Sequence, residues 1–227
     1  MKKIPHRKFI KIYKENNFID SKLVNINEEY GFVIDMKYPK LGMKKAIKEC
    51  LVREEVLDKL LEAKNNLPGG YTFKIWDAYR PLSLQKEIYN KYKDRLVEEF
   101  SLDKLSDEDK EEFIKHYISI PEEDENIPPL HATGGAIDLT IVDLKTGKEL
   151  DMGVDFDTFS NIATTDYFEQ DGMNEEIRNN RRILYNAMIK AGFTNLPSEV
   201  WHYDYGNRAW AYYNKKPAIY KGILELK

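Results

Sequence analysis

A carboxylate interrupts a run of strand-forming apolar residues, Ala136-Ile137-Asp138-Leu139-Thr140-Ile141-Val142, and this single placement restricts the fold more than any other feature of the 227-residue chain. Aliphatic and β-branched neighbours on both sides read as a half-buried or fully buried strand. Burying an unpaired charge costs several kcal/mol or drives the group neutral, so Asp138 requires a metal, an arginine or strong donors beside it. The chain has apolar material for a core around such a point, 42% hydrophobic and 12% aromatic residues. Its 35 Lys and Arg against 39 Asp and Glu, a net charge of −4, argue against a broad basic surface for nucleic acid or anionic lipid.

Elements on either side of the run mix helix and strand without regular alternation, which predicts an α+β fold. Val56, Leu57, Leu60 and Leu61 recur at helical spacing until Pro68-Gly69-Gly70, after which Tyr71 to Trp76 reads as a strand. Ser83 is placed to cap a helix bearing Leu84, Ile88, Tyr92 and Leu96, and Leu105 to Ile118 predicts a third, highly charged helix. Asn174, Glu175 and Glu176 open a last helix with an Ile183, Leu184, Ala187, Met188, Ala191 stripe that Gly192 ends. Glu122 to Glu125 is an acidic loop. The basic N-terminus lacks the apolar core of an export signal, and no stretch approaches the roughly 20 apolar residues of a membrane span, so the expected location is cytoplasmic.

The only cysteine, Cys50, excludes an intramolecular disulfide and a Cys-rich metal cluster, so any metal site here uses histidine and carboxylate. Cys50 itself lies in a helical stretch and reads as a small buried hydrophobe. Of the four histidines, His6 and His116 have charged surroundings and read as surface residues. His131 precedes Asp138 by seven, an offset that puts the two on opposite faces of a straight strand; Gly134-Gly135 supplies a bend able to reset that parity. The pair is either one metal site or a loop histidine beside a strand carboxylate. In Glu199-Val200-Trp201-His202 a tight bend brings Glu and His together, the pattern of a proton-accepting carboxylate beside a metal-binding imidazole, or else an aromatic core segment with a satisfied histidine. Arg80, in Trp76-Asp77-Ala78-Tyr79-Arg80-Pro81, suits an oxyanion or a structural ion pair with Asp77.

Taken together, these stretches resemble the D-alanyl-D-alanine dipeptidases, the vancomycin-resistance type zinc peptidases with a Hedgehog/DD-peptidase-like fold. Trp76 to Pro81 is similar to the family's WDxYRP, Pro129 to Ile141 to its SxHxxGxAIDLTL, and Glu199 to His202 to its ExxH. Met152 to Asp157, Asn180-Arg181-Arg182 and Ala191-Gly192-Phe193 follow in the family's order, so the likeness spans about residues 33–210. Pro129 stands where the family usually has Ser, Thr133 where it has Arg, and Val200 where it has Trp.

The resemblance implies a single zinc peptidase domain over 1–227 with a small, mainly antiparallel sheet flanked by helices. It implies one zinc ion held by His131, Asp138 and His202, Glu199 as general base toward zinc-bound water, and Arg80 as stabiliser of the tetrahedral intermediate. Tyr38 and Asp157 match positions near the substrate. The expected activity is hydrolysis of D-alanyl-D-alanine or a related short D-amino-acid dipeptide, with a small peptide as the partner molecule. A carboxypeptidase or endopeptidase acting on peptidoglycan stem peptides, and a non-catalytic zinc protein that binds cell-wall peptides, are the alternatives.

Overall fold

The run around Asp138 is a strand with a hydrogen-bonded neighbour on each side, which pairs its backbone polar groups in the interior. The computed structural model describes residues 1–8, 13–115 and 117–226. Along them lie β1 (Leu23–Ile26), β2 (Val33–Ile34), α1 (Lys37–Lys40), β3 (Cys50–Arg53), α2 (Glu54–Asn65), β4 (Tyr71–Asp77) and α3 (Leu82–Glu99). There follow α4 (Asp107–Lys115), β5 (Ala136–Asp143), α5 (Glu175–Lys190), β6 (Thr194–Asn195), β7 (His202–Asp204) and α6 (Arg208–Asn214). β2, β4, β5, β7 and β6 lie side by side in that order, and β1 pairs with β3 in a separate two-stranded ladder. Among the described strands only β2 and β4 pair in parallel. The fold is the expected α+β arrangement with a mainly antiparallel sheet.

Strand alternation divides the sheet into two faces. Phe73 and Ile75 of β4, Ile137, Leu139 and Ile141 of β5 and Tyr203 of β7 join one buried cluster with Val56, Leu57, Leu60 and Ala63 of α2 and Leu184, Ala187 and Met188 of α5. The alternate residues, Asp138 and His202, therefore point away from that core. Beyond them a second buried cluster, with Tyr38, Leu84, Ile88, Tyr92, Leu96 and Ile114, packs α3 and α4. The polar site lies between these two hydrophobic bodies.

The helix signals hold where they are local. Asn174 caps α5 by accepting from the N–H groups of Glu176 and Ile177, and Gly192, at φ 96°, ends it in a conformation that favours glycine. Three expectations change. Ser83 is not a cap: α3 starts at Leu82, and the Glu225 carboxylate accepts from both the Ser83 N–H (2.7 Å) and its hydroxyl (2.9 Å). The third helix is shorter, Asp107–Lys115, and its start is set by Ser106, whose hydroxyl accepts from the Asp109 N–H. Cys50 is buried as expected but opens strand β3 rather than lying in a helix, since its backbone pairs with Ile26.

Candidate active site

Three strands align three site residues across the sheet. Asp138 on β5 faces His202 on β7 and Asp77 on β4. The last match depends on a register shift: Ile75 pairs with Leu139 but Asp77 pairs with Asp138, so Trp76 is an extra residue on β4. His131 comes from a 3-10 turn, Leu130–Thr133, that Gly134 ends at φ 71°. Gly135 then passes so close to the Tyr205 carbonyl that a Cβ would lie 2.3 Å from its oxygen. This glycine pair makes the bend that the seven-residue offset demanded. Glu199 reaches the site through a tight turn in which the His202 N–H donates to the Glu199 carbonyl (3.3 Å).

His131 Nε2 lies 3.2 Å from His202 Nδ1 and 3.5 Å from Asp138 Oδ2, and His202 Nδ1 is 3.0 Å from Asp138 Oδ1. The tautomers follow from what stands behind each ring. His131 Nδ1 faces the Ala78 carbonyl at 2.7 Å, and His202 Nε2 faces the Asp204 carboxylate at 3.1 Å; both partners only accept, so both nitrogens carry hydrogen. In the neutral form that ligates a metal, the rings direct two lone pairs at one point beside Asp138, whose buried Oδ1 has no hydrogen-bond partner. Facing lone pairs and an unpaired carboxylate oxygen repel one another unless a cation lies among them. Two imidazoles and one carboxylate, with donor atoms all within 4.8 Å, fit one zinc ion and leave a fourth tetrahedral position open.

The electrostatics agree. Burial pushes the His202 pKa down, yet Asp204 and Asp138 outweigh it and hold the imidazole well above its ordinary value, so positive charge is favoured at this point, whether carried by a proton or by a metal ion. Burial also raises Asp138, but His131 and His202 bring its carboxyl far below the usual range. Glu199, with Oε2 3.8 Å from His202 Nδ1, is raised by burial and by Asp138 against the opposing pull of the histidines and Arg80.

Arg80 forms the ion pair with Asp77 that its sequence context allowed. Nε and Nη2 donate to Asp77 Oδ2 (2.9 and 2.6 Å), Nη1 donates to Gln85 (2.8 Å), and Nη2 also lies 3.8 Å from Asp138 Oδ2. The guanidinium sits over the Tyr38 ring, 4.7 Å from its centroid. The Tyr38 hydroxyl accepts from Arg80 Nη2 (3.2 Å) and donates to Asp157 (2.9 Å). Asp157 also accepts from Tyr92 (3.1 Å), and burial, with Asp138 and Glu199 nearby, pushes its carboxyl up to about 7 despite Arg80.

Tyr38, Arg80, His131, Asp138, Asp157, Glu199 and His202 all line one cavity of ≈ 50 Å³. It adjoins a cleft of ≈ 300 Å³ that shares Tyr117, Asp157, Phe159 and Glu199 with it and is walled by Trp201 and Phe113. Pro129 lines the inner cavity, whereas the Thr133 hydroxyl turns inward to donate to the Leu130 carbonyl (2.6 Å). His6 is exposed against Asp166, and His116 lies outside the described residues.

Three contributors escaped the sequence reading. Gln85 and Tyr92 look like ordinary positions of α3, one polar and one apolar. Asp204 carried a signal, since two residues after His202 on a strand means the same face.

A peptidase-family profile described as D-ala-D-ala dipeptidase matches residues 40–220. A D-alanyl-D-alanine dipeptidase of Synechocystis sp. is 29% identical over 184 residues, 73% of this chain and 74% of that protein. One from Enterococcus faecium is 32% identical over 155 residues, covering 66% of this chain and 70% of that protein. Among solved structures, a vancomycin-resistance D,D-pentapeptidase VanY in complex with Zn(II) aligns over 86% of this chain and 91% of that one, at 14% identity and a TM-score of 0.42.

Proposed function

Because the chain belongs to the D-ala-D-ala dipeptidase family, a family of metallopeptidases, we propose that it hydrolyses D-alanyl-D-alanine or a closely related short D-amino-acid dipeptide. The observation that carries this reading is the convergence of the His131 and His202 lone pairs on the unpaired oxygen of Asp138, with Glu199 and Arg80 on the same cavity wall. His131, Asp138 and His202 would hold zinc, which supplies Lewis-acid polarisation and brings the pKa of a bound water to about 7.

The side chains supply the remaining steps. Glu199 accepts the proton of the attacking water and delivers it to the leaving amine nitrogen; its raised pKa brings it closer to neutral pH, where general bases work best. Arg80 keeps its charge, because Asp77, Tyr38 and Asp138 outweigh burial, and donates to the carbonyl oxygen as negative charge develops there. Its bonds to Asp77 and Gln85 fix the guanidinium before substrate arrives. Asp157, with Tyr38 beside it, binds the free ammonium of the dipeptide. Trp201, 3% exposed, helps exclude bulk water. The small cavity favours a short substrate, and about 33–210 is the catalytic core.

Metal analysis tests the centre. Wild-type protein should bind one zinc per chain, and chelation should lower its melting temperature, since a ligand that binds only the folded state at 1,000 times its Kd stabilises by about 4 kcal/mol. Stoichiometry that survives in His131→Ala or His202→Ala would contradict the assignment.

A further inference from the structure

We propose that Asp204 is a positioning residue of the metal centre: it fixes His202 in the tautomer that presents Nδ1 to the metal and thereby strengthens zinc binding. This rests on the metal-centre reading above.

The geometry is short and closed. His202 and Asp204 alternate on β7 and share a face, and Asp204 is 0% exposed. Its Oδ1 faces His202 Nε2 at 3.1 Å and accepts from Asn207 Nδ2 at 2.6 Å. Asn207 is in turn fixed, because its own Oδ1 caps α6 by accepting from the N–H groups of Ala209 (3.0 Å) and Trp210 (3.1 Å). The start of α6, Asn207, Asp204 and His202 thus form one chain of contacts ending at Nε2 of the ring whose Nδ1 would face the metal.

The two imidazoles are held differently. A neutral backbone carbonyl stands behind His131, whereas a full carboxylate stands behind His202. Among the described residues His202 is the only ion-pair partner of Asp204, and Asp204 Oδ2 has no hydrogen-bond partner. A buried carboxylate with so little compensation is costly to a fold and offers little as a structural brace. Behind a ligand imidazole it has a use, since it sets the tautomer, holds the ring plane and raises the basicity of the other nitrogen.

The test uses the full-length metal-free protein and two readouts that need no turnover: zinc Kd by competition with a chromophoric chelator, and the visible absorption of the cobalt-substituted protein. Asp204→Asn keeps the shape and removes the charge; it should raise the zinc Kd by about 10- to 100-fold and shift the cobalt bands. Asn207→Ser keeps a capping oxygen for α6 but removes the amide donor to Asp204, and should raise the Kd by a smaller factor. In a His202→Ala background Asp204→Asn should have no further effect, because the partner through which it acts is gone. Melting of the metal-free variants separates lost folding from lost positioning. Wild-type affinity and unchanged cobalt bands in folded Asp204→Asn would overturn the proposal alone. Failure of the wild type to bind one zinc would overturn the metal centre and the proposal with it.

Discussion

Arg80 grips Asp77 with two donors on a single carboxylate oxygen, Nε at 2.9 Å and Nη2 at 2.6 Å, while a register shift in β4 holds Asp77 level with Asp138. The ion pair therefore aims the guanidinium toward Asp138, the proposed metal ligand, rather than merely closing a turn. Lysine keeps the charge but loses the planar fork. Arg80→Lys should leave zinc stoichiometry at one and lower kcat by about 10²- to 10³-fold, the cost of removing one preorganised oxyanion donor. Steady-state kinetics beside metal analysis checks this; a loss confined to KM would assign Arg80 to ground-state binding instead.

Asp157 connects stability to pH. Its folded-state pKa, pushed up to about 7, exceeds the unfolded value of about 3.9, so the folded chain binds more protons between those values. Stability must then fall as pH rises through that window. Asp157→Asn removes this dependence and suits the local backbone, φ 57°, a region where asparagine is at home. In metal-free protein at pH 8 it should raise stability by on the order of 1 kcal/mol, roughly 2–4 °C in Tm, while raising the KM for a dipeptide at least about tenfold. Thermal scans of both proteins at pH 5 and 8 measure it, and equal slopes with pH would contradict the assignment.

Gly135 tests the bend that brings His131 to Asp138. A Cβ there meets the Tyr205 carbonyl at 2.3 Å and the Tyr220 ring at 2.9 Å, so Gly135→Ala must push β7 away from β5 near His202. We expect a stability loss of about 1–3 kcal/mol and weaker zinc binding. Unchanged affinity in the folded variant would place the bend outside the metal geometry.

What the sequence made legible was local or chemically forced. Asp138 announced itself because a carboxylate among Ile137, Leu139 and Ile141 has few stable environments, and the offset from His131 required the bend that Gly134 and Gly135 make. The α5 cap was readable because donor and acceptor lie within three residues. The Ser83 expectation failed for the opposite reason: Glu225, 142 residues away, takes that place. Tyr92 carries an apolar ring on the buried stripe of α3 and a hydroxyl that reaches Asp157, and helical periodicity registers only the ring. Cys50 was set in a strand by pairing with β1, a long-range choice that overrides local propensity. α6 is short, and its Asn207 cap gained meaning only once Asp204 stood behind His202.

On the proposed reading, a free D,D-dipeptide is hydrolysed at the His131, Asp138 and His202 centre with Glu199 as the proton acceptor. The most direct measurement is alanine release from D-Ala-D-Ala, L-Ala-L-Ala and a D-Ala-D-Ala-terminated pentapeptide, by zinc-loaded wild type and Glu199→Ala. We predict turnover of D-Ala-D-Ala alone, abolished in the variant while its zinc content stays at one per chain. Cleavage of the pentapeptide in place of the dipeptide, or dipeptide turnover that persists without Glu199, would contradict the account.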